Sequence, residues 1–285
     1  MNRIPLALLL IAASVSAFAQ SFDGSGAGLA VPKLKFSAAK NPSTLEAQLD
    51  KQSGADLYYF SPEQAKAAAK KFGVRQKAMG WVFDRNVPQN IQDQMRADLA
   101  FMAGISGSGA TPLHNKIFGK VDGAKYKEFF DSRVTGIGMH SCGGGKAVAC
   151  VIPFMDPSKM WLTQNFVKFS HPQVSRMMVV YHEARHTESR NGNWGHATCP
   201  DPFKDANGND MKSIWTGATL AGEPACDETP LGSYGSSTIL LKNIQKFCTN
   251  CNDKVKMDAG LYADDQFGRI IDDGARREMT DDLYK

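Results

Sequence analysis

The chain has 285 residues, with 33 Lys or Arg against 29 Asp or Glu, so its formal net charge at pH 7 is +4. This slight excess includes no long basic run that could follow a phosphate backbone, which argues against nucleic acid as a partner. After residue 19, no stretch approaches the roughly 18 continuous apolar residues of a membrane span. The length suffices for one sizeable domain, and the composition does not indicate an oligomeric state.

Residues 1–19 have the pattern of a secretory signal peptide. A positive start at Arg3 precedes an apolar run over residues 4–13, and a small-x-small cleavage site ends at Ala19. The protein is therefore predicted to be secreted or periplasmic. Residues 20–55 lack sustained periodicity and are predicted to form a flexible arm or a propeptide.

Residues 56–104 are predicted to form a helical part. A first helix begins at Ser61, which is followed by Pro, Glu and Gln, and it ends near Gly73. A second helix covers residues 87–103. Its apolar stripe, at spacings of four, four and three, consists of Ile91, Met95, Leu99 and Met102.

The Gly/Ser-rich stretch 104–112 separates this part from a predicted zinc-binding catalytic domain over residues 105–285. Three short strands are predicted over residues 133–139, 147–154 and 160–166. A helix then starts at Pro172. Two further helices are predicted over residues 236–248 and 260–272, before a C-terminal tail that frays. Short strands before a central helix, between helical N- and C-terminal parts, predict an α+β fold.

The six cysteines form an even set in a chain predicted to be exported, which favours three disulfides. Fifteen pairings are possible, and the sequence alone does not choose among them. Pairing of nearest neighbours would join Cys142 to Cys150, Cys199 to Cys226 and Cys248 to Cys251.

The stretch from Tyr181 to His196 reads YHEARHTESRNGNWGH and contains the pattern His-Glu-x-x-His. On a helix, His182 and His186 are one turn plus about 40° apart, so their rings leave the same face and can share one metal ion. Glu183 lies about 100° round from His182, where its carboxylate can take a proton from water. The pattern predicts a Zn²⁺ site with Glu183 as general base.

His196 is the leading candidate for a third ligand, because catalytic zinc usually has three protein ligands. The helix is predicted to end at residues 191–192, and the loop after it is long enough to return His196 to the metal. Asp227 and Glu223 are the alternatives. Asp227 is favoured as a group that orients a ligand histidine, and Glu223 as a solvated loop residue.

Other polar residues near the pattern have separate predicted roles. Tyr234, in a Gly-Ser-Tyr-Gly-Ser segment, is a candidate catalytic residue that donates to the oxyanion formed when water attacks a carbonyl. Glu188 points about 200° away from His186 and is expected to be a surface or capping residue. The histidines without a partner at metal spacing are expected to be structural: His114, His140 and His171.

The segment from His182 to His196 resembles the active site of zincins, the zinc metallopeptidases with His-Glu-x-x-His on a helix. The resemblance implies a mixed α+β domain in which an edge strand, here residues 160–166, binds the substrate backbone. It also implies hydrolysis of peptide bonds in polypeptides or cell-wall peptides, with Glu183 as general base and acid.

The clan is left open, because His196 follows His186 by ten residues and the corresponding step in metzincins is six. A second hypothesis is a non-catalytic exported binding or structural domain. Its zinc site would be closed, with Asp227 or Cys199 at the fourth position.

Overall fold

The computed structural model describes residues 81–168 and 171–285. The predicted signal peptide, the predicted arm and the helix predicted from Ser61 lie outside these residues. No helix in the described ranges is both long and apolar enough to cross a bilayer.

The described residues form a mixed α/β fold with a small four-stranded sheet and a helical C-terminal part. The strands are β1 (Val82–Phe83), β2 (Gly136–Met139), β3 (Ala149–Ile152) and β4 (Asp156–Leu162). The α-helices are α1 (Gln89–Ala103), α2 (Pro112–Ile117), α3 (Gly123–Asp131), α4 (Gln164–Lys168), α5 (Gln173–His186), α6 (Ser233–Phe247), α7 (Asp253–Phe267) and α8 (Asp273–Leu283). Two 3₁₀ segments cover Gly143–Gly145 and Ser189–Trp194.

The strand order in the sheet is β1-β2-β4-β3, with β3 antiparallel to β4 and the other neighbouring pairs parallel. Strand β4 is therefore interior, and the prediction that residues 160–166 form the edge strand is wrong. The edge strand on that side is β3, and Phe166 lies in helix α4. Met160 pairs with Ile137 on one side and Val151 on the other.

Helix α1 confirms the predicted apolar stripe. Its four stripe residues are at most 4% exposed and belong to one large hydrophobic cluster. That cluster also contains Trp81 and, from beyond the Gly/Ser-rich stretch, Tyr126 and Ala263. Residues on both sides of the predicted break therefore share one core.

Helix α5, which carries the His-Glu-x-x-His pattern, is buried along most of its length. It follows Pro172, as predicted, and Tyr181 packs among four aromatic side chains, those of Phe118, Tyr126, Phe129 and Phe130. The helix ends at His186, so the predicted end at residues 191–192 is wrong. The Asn193 side chain donates to the His186 carbonyl oxygen at 2.7 Å, which helps to satisfy that helix end.

The C-terminal part is more helical than predicted. Helix α7 begins seven residues before the predicted start at residue 260, because the Asn252 side chain caps it by accepting from the Val255 N–H. The tail does not fray, since it forms helix α8, which buries Ala275, Met279 and Leu283 at a spacing of four. The short helices α2 and α3 were not predicted.

All three disulfides join nearest neighbours along the chain: Cys142–Cys150, Cys199–Cys226 and Cys248–Cys251. The first closes the Gly-rich loop that leads into β3. The second closes residues 199–226, a loop between helices α5 and α6. Residues of both loops line the site described next.

Candidate metal centre

Three histidine rings converge where helix α5 meets the loop that follows it. The Nε2 atoms of His182 and His186 are 3.2 Å apart, and the Nε2 of His196 lies 3.2 Å from the first and 3.1 Å from the second. In the described residues, this is the one group of three or more His, Cys, Asp or Glu side chains that could hold a metal ion. The loop returns His196 to the pair despite the earlier helix end.

The ring nitrogen of each histidine that faces away from the other two rings makes a hydrogen bond that fixes the orientation of the ring. Nδ1 of His186 lies 2.8 Å from the Asn193 carbonyl oxygen, and Nδ1 of His196 lies 2.9 Å from the Asp227 carboxylate. The ring of His182 bonds to the backbone of Ser233, which favours a proton on that side. Because carbonyl and carboxylate oxygens only accept, Nδ1 of His186 and of His196 carries the proton and the Nε2 has a lone pair.

These lone pairs face one another, which fits a bound cation. Burial lowers the pKa of His182 well below its ordinary value and lowers that of His186 to about 4, so both rings are neutral near pH 7. Converging nitrogen lone pairs repel unless a cation lies between them. Tetrahedral zinc with Zn–N distances of about 2.0–2.1 Å needs nitrogens about 3.3 Å apart, close to the observed triangle.

Asp227 is placed as predicted, behind a ligand candidate. Its Oδ1 receives the His196 ring N–H, and its Oδ2 accepts from the backbone N–H groups of Tyr234 at 2.7 Å and Gly235 at 3.3 Å. Gly232 permits this approach, since a Cβ there would lie 2.4 Å from Oδ2. The carboxylate is thus committed to orienting His196 at the start of helix α6.

Glu183 lies next to His182 and lines the cleft beside the three rings. Its side chain is buried, and Oε2 has no hydrogen-bond partner among the described residues. Burial raises the pKa of Glu183 to about 8, and a hydrogen bond from the backbone of Val151 on β3 opposes that rise. A buried carboxyl with one unpartnered oxygen is placed to exchange a proton with a group in the cleft, and a cation held by the three rings would favour its carboxylate form.

Tyr234 also lies at the site. Its ring stacks on His196 with centroids 4.5 Å apart and meets His182 edge-on at 4.6 Å. Its hydroxyl accepts from Nη1 of Arg269 at 2.9 Å, which leaves the hydroxyl proton free to donate elsewhere. Arg269 could not be identified from the sequence, because nothing in the spacing of residues links it to the histidines.

The two other glutamates near the site, Glu188 and Glu223, both lie outside the histidine group. Glu188, predicted to be a surface or capping residue, stands at the N-cap position of the 3₁₀ segment Ser189–Trp194 without a side-chain capping bond. It is not a surface side chain, because it is only 12% exposed and accepts from Arg133, Arg185 and Trp194. This network fastens the end of helix α5 to the turn before His196. Glu223 remains a loop residue outside the ligand group, and it pairs with Lys146.

The histidines predicted to be structural lie outside the ligand group. His114 bonds to the Gly119 carbonyl oxygen and the Tyr126 hydroxyl, and His171 stacks on Trp215 and bonds to Tyr262. His140 contacts the Ser141 carbonyl oxygen.

The three rings and Glu183 line a cleft of about 510 Å³. One wall consists of the loop that the Cys142–Cys150 disulfide closes, together with β3. The other consists of residues from the loop that Cys199–Cys226 closes. The apolar residues lining the cleft include Val148, Met178, Val179, Trp215 and Leu220.

Comparison of the chain with protein-family models, with curated proteins and with solved structures returns no significant match.

Proposed function

We propose that this protein is a secreted or periplasmic zinc metallopeptidase that hydrolyses peptide bonds. The observation that carries the proposal is the juxtaposition of three oriented Nε2 atoms with the buried, partly unpartnered carboxyl of Glu183 in one cleft. The three disulfides agree with export to an oxidising compartment.

His182, His186 and His196 would hold the zinc, which when bound supplies Lewis acidity that activates water and polarises a carbonyl. Glu183 takes the proton from the attacking water and passes it to the leaving amine. Tyr234 donates its free hydroxyl proton to the oxyanion that develops on the carbonyl. Arg269 supports this donor by occupying the other side of the hydroxyl oxygen.

Strand β3 suits an extended peptide because, among the described residues, it is the last strand on its side of the sheet. It also lines the cleft beside Glu183. A peptide backbone can add to such an edge as a further strand, with alternate side chains entering the cleft. The apolar lining favours peptides with apolar side chains near the cleaved bond.

The alternative, a closed non-catalytic zinc site, finds less support in these contacts. The sulfur of Cys199 is bonded to Cys226, and the oxygens of Asp227 are occupied by the His196 ring and two backbone N–H groups. No fourth His, Cys, Asp or Glu of the described residues belongs to the histidine group.

The test combines zinc content with hydrolysis for the wild type and Glu183→Gln. We expect about one zinc per chain in both proteins by elemental mass spectrometry. Hydrolysis of a fluorogenic peptide library should fall by about a hundredfold to ten-thousandfold in Glu183→Gln, as expected for loss of a general base. Equal hydrolysis by the two proteins, or no zinc in the wild type, would refute the proposal.

A further inference from the structure

Arg269 is a buried cation in the wall of the cleft. It follows helix α7, and its side chain is 6% exposed. Its carbonyl oxygen accepts from the backbone N–H of Asp227 at 3.0 Å, so its position is tied to the residue that orients His196. The guanidinium is therefore held at a fixed place beside the metal centre.

Most hydrogen-bond donors of this guanidinium have no partner among the described residues. A guanidinium has five N–H groups, and the one hydrogen bond it makes runs from Nη1 to the Tyr234 hydroxyl. Nε is buried and unpartnered. The Asp265 carboxylate forms an ion pair with Nη2 at 3.7 Å, but this is beyond hydrogen-bond distance, and the same carboxylate accepts from Gln266 at 2.7 Å.

Such a group is poised for an anion. A buried charge with unused donors costs free energy, and a carboxylate can recover much of it through paired N–H···O bonds. A ligand carboxylate can reach the guanidinium through the cleft, since Arg269, Tyr234 and Gln266 line it together with the three histidines. The ligand that fits is a carboxylate carried by the substrate.

The distance to the metal centre limits where that carboxylate lies on a peptide. The Cζ of Arg269 is 4.6 Å from the Tyr234 ring centre, which is 4.5 Å from the His196 ring centre. The guanidinium is thus within about 9 Å of the His196 ring, the length of two to three extended residues. A carboxylate bound there would be close to the cleaved bond.

We propose that Arg269 forms a carboxylate subsite and that the enzyme releases one to three residues from a free peptide carboxyl terminus. This inference rests on the proposed peptidase function and specifies its substrate class. The side chain of a substrate Asp or Glu near the cleaved bond would also present a carboxylate to Arg269. The experiment therefore separates a terminal carboxylate from a side-chain carboxylate.

The experiment measures binding to zinc-loaded Glu183→Gln by calorimetry, so that it does not depend on turnover. The probes are N-acetylated apolar tetrapeptides with a free carboxyl terminus, the same peptides as C-terminal amides, and amidated peptides with an internal Glu or Gln. We expect the free acid to bind at least tenfold more tightly than its amide. The internal Glu and Gln peptides should bind alike; preference for Glu would assign the subsite to an acidic side chain and overturn the terminal assignment.

The same titrations on a Glu183→Gln protein that also carries Arg269→Gln show whether this residue binds the carboxylate. We expect the preference for the free acid to disappear, and to survive in part with Arg269→Lys, which keeps the charge without the planar fork. Arg277→Gln, at an exposed position on helix α8, is the matched control and should leave the preference for the free acid intact. Zinc content and thermal midpoints establish that each variant is folded.

Three results would overturn the subsite: binding of acid and amide alike, no binding of any peptide, or a preference that survives Arg269→Gln. The last would mean that the zinc itself binds the carboxylate. Hydrolysis of the free acids by the wild type is scored separately. Binding that depends on Arg269 without any cleavage would refute the peptidase and keep the subsite.

Discussion

Asp227 lies 2.9 Å from Nδ1 of His196, 31 positions away along the chain, and decides which ring nitrogen faces the other two histidines. The same carboxylate accepts from the Tyr234 backbone N–H, so both of its oxygens must be acceptors. An asparagine amide has only one acceptor oxygen. If that oxygen faced His196, the amide NH₂ would face the backbone N–H of Tyr234, so that two donors would meet. If the NH₂ faced His196, it would favour the wrong tautomer of the ring.

Asp227→Asn should therefore weaken zinc binding by about tenfold to a hundredfold, the usual effect of losing a carboxylate behind a ligand histidine. The measurement is competition for zinc against a chromogenic chelator. Asp273→Asn, at an exposed position in the first turn of helix α8, is the matched control and should bind zinc like the wild type. Unchanged affinity in Asp227→Asn would show that the hydrogen bond to His196 does not support the site.

The Cys199–Cys226 disulfide should matter for both stability and zinc, because Cys226 precedes Asp227 and pairs in a β-bridge with Ala197, the neighbour of His196. Replacing both cysteines by serine should lower the free energy of unfolding by about 3.5 kcal/mol, as expected for a loop of this length. It should also weaken zinc binding.

The control for that experiment is the Cys248–Cys251 disulfide, which closes a three-residue step and contributes no residue to the cleft lining. Its double serine variant should lose stability and retain the zinc affinity of the wild type. If both double variants bind zinc equally well, the loop closed by Cys199–Cys226 does not position the ligands.

Lys146 and Glu223 form an ion pair at 2.5 Å that joins the two cleft walls at their exposed rim. An exposed pair contributes at most about 1 kcal/mol, so Lys146→Ala should barely change the unfolding midpoint. The pair should nevertheless restrict entry of bulky substrates. We expect Lys146→Ala to raise kcat/KM for a denatured protein by about twofold to fivefold and to leave kcat/KM for a short peptide nearly unchanged.

High salt should have the same effect on the wild type, because it screens exposed charges. It should have little effect on Lys146→Ala, in which the pair is already lost. Glu223→Gln, which breaks the pair from the other wall, should match Lys146→Ala. A salt response of equal size in wild type and variants would exclude the ion pair as its cause.

His114 should make the fold sensitive to mild acid. Its ring is buried between the Gly119 carbonyl oxygen and the Tyr126 hydroxyl, and burial lowers its pKa from 6.5 to about 4. Between pH 6.5 and 4 the unfolded chain binds a proton that the folded chain does not, so stability falls as the pH falls through this window. The expected loss is about 3 kcal/mol.

Urea unfolding in the presence of a chelator, at pH 7 and pH 4, tests this expectation on wild type and His114→Asn. The chelator removes any contribution of metal binding. The variant starts from a lower stability and should lose about 3 kcal/mol less than the wild type over the same interval. His140→Asn serves as the control. Parallel losses in wild type and His114→Asn would contradict the assignment.

Local patterns predicted a substantial part of this structure. The apolar stripe identified helix α1, and the buried face of helix α5 follows from the apolar run before the His-Glu-x-x-His pattern. Asp227 could be identified as a group behind a ligand because a possible Cys199–Cys226 bridge would bring it to His196. In each case the signal lies in residues close in sequence or joined by a covalent link.

Contacts between distant segments set the features that were missed. Helix α5 ends at His186 partly because Asn193 satisfies its last carbonyl, a bond that depends on the fold of the loop after the helix. The Glu188 side chain is largely shielded from solvent, and one of its partners, Arg133, lies 55 positions earlier in the chain. Arg269 reaches the cleft through a backbone pairing of Ile270 with Asp227, which no periodicity reveals.

The ends and the middle of the loop that Cys199–Cys226 closes contribute different residues to the cleft. Its two ends are joined covalently beside His196 and Asp227, while residues 203–220 form a small excursion held by its own bridges, Lys204 to Asp210 and Lys212 to Thr219. This middle part supplies Trp215 and Leu220 to the cleft and no residue to the histidine group. If the proposed peptidase function holds, sequence change there would alter which peptides fit without moving the three histidines, so we expect a loop grafted at this excursion to change the peptide specificity.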